Sequence, residues 1–240
     1  ATGRRAGLFH HRPGTFIPKA RSNVRMRTLA TAFCLVLAAT LLGQSADESM
    51  IAGLTAMKKE DHSAARTAFD KVVVEEPANS KALYYRAVTK LSQGDNAGAL
   101  HDLDQILALD PSDVHGLLRR AEVNRALGEN NVAKNDLYRV VGLSPNKPST
   151  EHALFELGQI ALQENNLPAA LSHYDRLVNI APDNAMAWCD RGVALSIVRD
   201  DDRAIADLEK ALAMDPALDK AYAALATVYF RQDRKQEGCY

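Results

Sequence analysis

From residue 46 onward, small, large apolar and polar positions recur along the chain with a period of 34 residues. Prolines mark the beat: Pro77, Pro111, Pro145, Pro182 and Pro216 are separated by 34, 34, 37 and 34 residues. With each proline taken as position 32, the units run 46–79, 80–113, 114–147, 151–184 and 185–218, followed by a partial sixth at 219–240. The longer step is a three-residue insertion, Pro148-Ser149-Thr150. Position 8 is small throughout (Gly53, Ala87, Ala121, Gly158, Gly192, Ala226), and position 20 is alanine in every complete unit (Ala65, Ala99, Ala133, Ala170, Ala204). Position 24 is large (Phe69, Leu103, Leu137, Tyr174, Leu208) and position 27 is apolar (Val72, Ile106, Val140, Leu177, Ala211).

This spacing predicts two helices per unit. Positions 20, 24 and 27 share one helix face, as do positions 4, 8 and 11 on an earlier helix, because side chains three and four apart are neighbours. Small residues at 8 and 20 let the two helices approach closely. The polar segments between them, such as Gln93-Gly94-Asp95-Asn96 and Glu164-Asn165-Asn166-Leu167, carry residues that end one helix in the left-handed conformation and cap the next. Proline at 32 closes the unit, since it cannot continue a helix. A single hairpin of this kind cannot bury its own apolar face, so the units must stack into a continuous array.

The pattern resembles the tetratricopeptide repeat family over residues 46–232. The fullest match to the family signature is Trp188, Gly192, Ala204, Leu208, Ala211 and Pro216, and the segments 99–103 and 204–208 (ALHDL and AIADL) are also typical. The chain departs from the family at position 4 of the first unit (Ser49) and at position 11, often tyrosine in the family and here Ala56, Lys90, Asn124, Ala161 and Leu195. The resemblance implies an all-α, right-handed superhelical solenoid of stacked helix–turn–helix repeats, whose first helices line a concave groove that binds proteins. It implies no catalysis.

Ahead of the repeats the chain changes character. Residues 1–27 hold seven basic residues and no acid, and an apolar run from Leu29 to Leu42 is broken only by Thr31 and Thr40. From Met26, this reads as a secretory signal at 26–46 with cleavage near Ser45 or Ala46, which predicts an extracytoplasmic protein, periplasmic or secreted. The run is shorter than the roughly 17–25 residues of a spanning helix. Met26 is read as the true start of the chain, and residues 1–25 as a basic leader upstream of it. An organellar transit peptide and an uncleaved membrane anchor are the open alternatives.

Charge and cysteine narrow the function classes. The 29 Lys and Arg, less the seven before residue 47, leave 22 against 30 acids, a net of −8 for the array. That argues against a nucleic-acid binder, which needs a basic stripe. Cys189 and Cys239 are too far apart in sequence and too few for a disulfide framework or a CxxC metal site, and Cys189 is expected as a packed or free thiol. His62, His101, His115, His152 and His173 are scattered, without the paired-histidine spacing of a zinc-protease helix. Asp200-Asp201-Asp202 falls on the turn of the fifth unit, where helix capping explains it better than calcium. The chain has no nucleotide or nucleophile motif. No cofactor, metal or small-molecule substrate is expected. Membrane contact is expected only through an uncleaved leader.

What remains is partner recognition. Positions 2, 5, 9 and 12 of the first helices share a face: Asp47, Met50, Leu54 and Met57, then Lys81, Tyr84, Val88 and Leu91, then His115, Leu118, Glu122 and Arg125. The fourth and fifth units add His152, Phe155, Gln159 and Leu162, and Met186, Cys189, Val193 and Ser196. Tyr84, Val88, Leu118 and Phe155 are the expected apolar groove for a partner peptide or helix, with Arg119 and Glu122 as its ionic part and Arg125 close by. Interhelix core is the competing reading of the same apolar positions. The chaperone-tail carboxylate clamp of some family members maps onto Met50, Leu54, Tyr85, His115 and Arg119, of which only Arg119 fits. The last helix, with Tyr222, Leu225, Val228, Tyr229 and Phe230, is apolar for a terminal cap. This reads as a fragment of a longer protein or as a helix covered by a partner. The runner-up function is accordingly a repeat module tethered to a catalytic or envelope-assembly domain.

Overall fold

The computed structural model describes residues 45–143 and 148–232. Residues 1–44, which hold nearly all of the expected leader, Pro145 and the residues after Gln232, including Cys239, lie outside the described residues. Within them the chain forms eleven helices and no strand. The first, α1, spans 45–58, and α2 is His62–Glu75. Then follow α3 (Ser80–Ser92), α4 (Asn96–Leu109), α5 (Val114–Ala126), α6 (Asn130–Leu143), α7 (Pro148–Gln163), α8 (Leu167–Ile180), α9 (Ala185–Ile197), α10 (Asp201–Met214) and α11 (Asp219–Arg231). Odd-numbered helices are the first helices of their units and even-numbered ones the second. Each packs on its chain neighbours, and the odd helices also meet each other, α5 with α7 and α9 with α11. The result is a right-handed solenoid of stacked hairpins. None of these helices is long and apolar enough to cross a membrane.

The turn inside each unit repeats to the residue. Position 15 is left-handed five times: Glu60 (φ 59°), Gly94 (79°), Gly128 (82°), Asn165 (56°) and Arg199 (67°). Only two of these are glycine, so Glu60 and Arg199 hold the conformation at a steric cost. The next residue caps the second helix. Asp61, Asp95, Asn166 and Asp200 each accept from the backbone N–H three residues on. Asn79, Asp113 and Asn184 do the same for α3, α5 and α9, each cap being worth about 1 kcal/mol. α11 has no side-chain cap, because Leu218 stands at that place. The acidic run is thus accounted for by Asp200 as cap and Asp201 as the partner of Arg231.

Position 8 is small because it faces position 24 of its own unit. A Cβ on Gly53 would lie 2.5 Å from the Phe69 ring, and one on Gly158 2.5 Å from the Tyr174 ring. Where position 24 is Leu103 or Leu137, position 8 has room for Ala87 or Ala121, and all four are buried. Gly192 opposite Leu208 is as tight as the ring pairs, at 2.7 Å.

The insertion adds no loop. Pro148-Ser149-Thr150 forms the first turn of α7, making it 16 residues long where α3, α5 and α9 have 13. Proline at a first helical position loses no hydrogen bond and is pre-set for the helix.

A second device was not anticipated. Position 7 is arginine in three units, and each arginine bridges two aspartates 16 residues away on either side. Arg86 donates to both oxygens of Asp102 in its own unit (2.9 and 2.6 Å) and to Asp70 of the preceding one (3.1 Å). Arg120 does so with Asp136 (2.7 and 2.8 Å) and Asp104 (2.7 Å). Arg191 repeats it with Asp207 (2.6 and 2.8 Å) and Asp175 (3.0 Å). The own-unit aspartates are buried, so each clamp pins a first helix to both second helices beside it. Between the third and fourth units the clamp is missing. Leu157 occupies position 7 and packs among Leu137, Val140 and Ala153, while Tyr138 and His173 stand where the two aspartates would be, their Oη and Nε2 3.4 Å apart.

Candidate functional site

The exposed face of the first helices divides into an aromatic half and an ionic half. At the aromatic end, α1, α3 and α5 enclose a groove of about 610 Å³ lined by Met50, Leu54, Lys81, Tyr84, Tyr85 and His115, with Ser80, Ile106 and Asp113 at its edges. Its floor is a run of rings. Phe69 stacks on Tyr85 (centroids 5.7 Å), Tyr85 meets Tyr84 edge-on (5.8 Å), and Tyr84 meets His115 (6.3 Å). The Arg119 guanidinium lies over the Tyr84 ring at 5.9 Å and donates to its hydroxyl at 3.3 Å. Rings fixed by other rings lose little freedom when a partner arrives, so they contribute contact area at low entropic cost.

Arg119 also begins the ionic half. It donates to Glu122 at 2.7 Å, and His152 Nε2 lies 3.6 Å from Glu122 and 3.8 Å from Glu156. Glu156 in turn is 2.5 Å from Arg125 Nε, a close ion pair whose geometry is not that of an aligned hydrogen bond. The expected neighbourhood of Glu122 and Arg125 is therefore an alternating chain across α5 and α7, in which Arg125 pairs with Glu156 instead of Glu122. The Glu156 carboxylate raises the pKa of His152 above its ordinary value, against the opposing effect of burial, with Glu122 adding to the rise. His173, behind this network, is shifted the other way by burial, with Arg176 adding to the fall.

A second cavity of about 300 Å³ lies between α7 and α9, where Glu151, His152, Phe155, Leu177, Met186 and Asp190 are among the lining residues. Asp190 is an ionic member that the position count passed over. It sits at position 6, its side chain is 1% exposed, and Lys220 of α11 donates to its Oδ1 at 2.5 Å.

The six expected partner-binding residues are thus distributed unequally. Tyr84, Arg119 and Glu122 come together in one connected network, and Tyr84 lines the larger groove. Phe155 lines the second cavity while packing on the core around Leu154 and Leu177. Leu118 packs on the core shared by α5, α6 and α7, and Val88 is half-buried. Neither is among the residues lining these two cavities. Positions 5 and 12 of the fifth unit do not face the groove: Cys189 is 0% and Ser196 8% exposed. Packing by α11 closes over Cys189, and burial raises its thiol pKa, which leaves it a packed residue. In the last helix, Leu225, Val228 and Tyr229 are buried, while Tyr222 and Phe230 remain exposed. The described residues contain no group of three or more His, Cys, Asp or Glu arranged to hold a metal.

A solenoid of 34-residue helical hairpins with a ring-lined groove on its first helices is the architecture of a repeat adaptor. Tetratricopeptide repeat models match residues 52–113, 86–148, 118–185 and 157–228, and the chain belongs to the tetratricopeptide repeat family. Among curated proteins it is similar to the small glutamine-rich tetratricopeptide repeat-containing protein 2 of Saccharomyces cerevisiae, 26% identical over 80 residues, 33% of this chain. The match spans only 23% of that relative's length. Among solved structures it is similar to a tetratricopeptide repeat protein from Parabacteroides merdae (20% identity, 81% of this chain and 76% of the other, TM-score 0.70). It is also similar to YrrB, described as a TPR protein with an unusual peptide-binding site (18% identity, 72% of this chain and 87% of the other, TM-score 0.58).

Proposed function

We propose that this chain is a non-catalytic interaction scaffold that binds a partner peptide or helix along its concave face. The main seat is the groove enclosed by α1, α3 and α5. The observation that carries this reading is the groove itself, about 610 Å³ in volume and lined by Met50, Leu54, Tyr84 and Tyr85, with the cation Lys81 in its lining and Arg119 over the Tyr84 ring. Concave, largely apolar surfaces with a few placed polar groups are where ligands seat, and the similarity to a structure described by its peptide-binding site supports the same use of the fold. Farther along the same face Phe155 offers an apolar contact at the second cavity and Glu122 the ionic part, while Leu118 supports the face from the core and Val88 is half-buried in it. The working compartment is taken to be extracytoplasmic, on the strength of the leader at 26–46. Ser45 and Ala46 already belong to α1, where the Ser45 hydroxyl donates to Glu75 and Ala46 is buried against Val72 and Ala82.

The test is capture from the native envelope fraction with the full chain and with its Tyr84→Ala variant, both checked by circular dichroism and thermal melting. A partner held by the native chain and lost by a variant that melts normally is the expected result. A partner retained by Tyr84→Ala, or a variant that loses helix content in step with binding, would contradict the reading and leave Tyr84 as core.

A further inference from the structure

Four aspartates among the described residues are buried: Asp102, Asp136, Asp190 and Asp207. Three are saturated. Asp102, Asp136 and Asp207 each accept from an arginine on both oxygens, and Asp102 takes Lys90 as well, at 2.8 Å. Asp190 differs. Lys220 reaches its Oδ1, while Oδ2 is buried and accepts from no donor among the described residues. A buried carboxylate oxygen without a donor costs the desolvation of a charged group, so natural structures rarely leave one without a use. Asp190 is also the one of the four that lines a cavity named above, the space of about 300 Å³ between α7 and α9.

The chemistry of that space is specific. Phe155, Leu177 and Met186 offer apolar walls, Glu151 adds a second carboxylate, and the cations nearest to it are already committed. Lys220 is on Asp190 Oδ1, and His152 is turned to Glu122 and Glu156. Apolar walls beside a buried carboxylate with one unused oxygen suit a side chain with an aliphatic stem and a charged head. We propose that this cavity receives a lysine or arginine of the bound partner, the stem packing on Phe155 and Met186 and the head donating to Asp190 Oδ2. Asp102, which holds Arg86 and Lys90 at once, shows that the fold accommodates two cations on one buried aspartate. This rests on the concave-face reading above and sharpens it. The partner carries an apolar or aromatic residue for the Tyr84 groove and a basic residue for the Asp190 cavity. Taking the usual spacing of neighbouring helices, about 8–10 Å, for each step along the row of first helices, the two sites are some two and a half steps apart, a span of about six to eight residues of extended chain.

The probe is a phage-displayed library of random dodecapeptides selected on the full chain. Selected peptides are synthesised with and without replacement of their basic residue by norleucine, and titrated by fluorescence anisotropy. The expected peptides pair an apolar residue with a lysine or arginine six to eight positions away. Norleucine should weaken binding to the native chain about tenfold or more, and to Asp190→Asn less than about threefold, as coupled charge pairs do. Met186→Lys, at an exposed residue of the rim, keeps the test decisive should Asp190→Asn unfold: it should lower affinity for the basic peptide severalfold more than for the norleucine peptide, which loses only the stem contact, and equal losses would overturn the inference. Peptides that bind, are lost with Tyr84→Ala and show no dependence on a basic residue would overturn this inference and leave the concave-face reading standing. Peptides indifferent to Tyr84→Ala, or no selected peptide at all, would overturn that reading and this one with it.

Discussion

The joint between the second and third units and the joint between the third and fourth are built from the same helices in the same order, yet they are held differently. In the first, Arg120 reaches across to Asp104 and Asp136 and fixes α5 to both α4 and α6 through charge-assisted bonds. In the second, the equivalent place is Leu157, α7 is lengthened at its start, and the polar contacts include Arg125 with Glu156, His152 with Glu122, Lys134 with Glu164, and Tyr138 with His173. The clamp of the first joint is insensitive to pH near neutrality, because arginine and aspartate keep their charges there. The other carries two histidines with pKa values shifted in opposite directions. The difference teaches that a solenoid can conserve its backbone repeat while changing what secures each interface, and that the apolar solution and the ionic one must fail differently.

The sharpest way to break the comparison is one substitution made at both joints. Arg120→Met removes both hydrogen bonds to Asp136, which is 2% exposed and keeps only the longer contact with Arg139 at 3.8 Å, and should cost about 3–5 kcal/mol. Leu157→Met conserves volume and should cost less than about 1.5 kcal/mol. Urea unfolding followed by circular dichroism reads both, and equal losses would show that the clamp contributes no more than ordinary packing. Next in size is the helix contact inside the fourth unit. Gly158→Ala drives a methyl into the Tyr174 ring and should destabilise by about 1–3 kcal/mol. Adding Tyr174→Leu recreates the Ala/Leu pairing of the second and third units. The double variant should then be more stable than the sum of the two single losses allows, whereas strict additivity would mean the two positions are not matched.

A smaller gain is expected at the turns. Arg199→Gly relieves a left-handed backbone at the fifth unit and should stabilise by about 1 kcal/mol, seen as a raised melting temperature. No gain would mean that the residue's other contacts offset the strain. The subtlest effect is the pH slope at the unclamped joint. His173 has a folded pKa below its unfolded value near 6.5, so the unfolded chain binds the proton more readily and stability falls as pH drops below that value. His152 has a raised folded pKa, so its contribution is present below pH 6.5 and fades as pH rises through the folded value. His173→Gln should therefore flatten the loss of stability between neutral and mildly acid pH, and His152→Gln should steepen it. Unchanged slopes in both would remove the histidines from the account of this joint.

Much of this architecture was legible in the sequence because a repeat states the same physical requirement five times. The pairing of small position 8 with large position 24 is visible as Gly53 with Phe69 and Gly158 with Tyr174 before any coordinate is known. The arginine clamp was equally periodic, an aspartate, an arginine and a second aspartate each 16 residues apart, but polar residues on a helix read as solvated until the interface is seen. The face count put Lys81 and Tyr84 on the groove in the second unit, but not Val88 or Leu91, and it failed in the fifth, where Cys189 packs against α11, Ser196 is buried and position 6, Asp190, lines the cavity. That shift depends on how each hairpin leans on the next, which a helical wheel does not contain. The left-handed Glu60 and Arg199 were hidden for a simpler reason: neither residue type favours that conformation, and the repeat imposes it.

The central claim is that partners seat on the first helices, and site-specific photocrosslinking tests it most directly. A photoreactive residue at Leu54, in the groove of α1, should crosslink a bound peptide, and one at Val74, 80% exposed on the second helix α2, should not. Crosslinks from Val74 with none from Leu54 would place recognition on the outer helices and contradict the account.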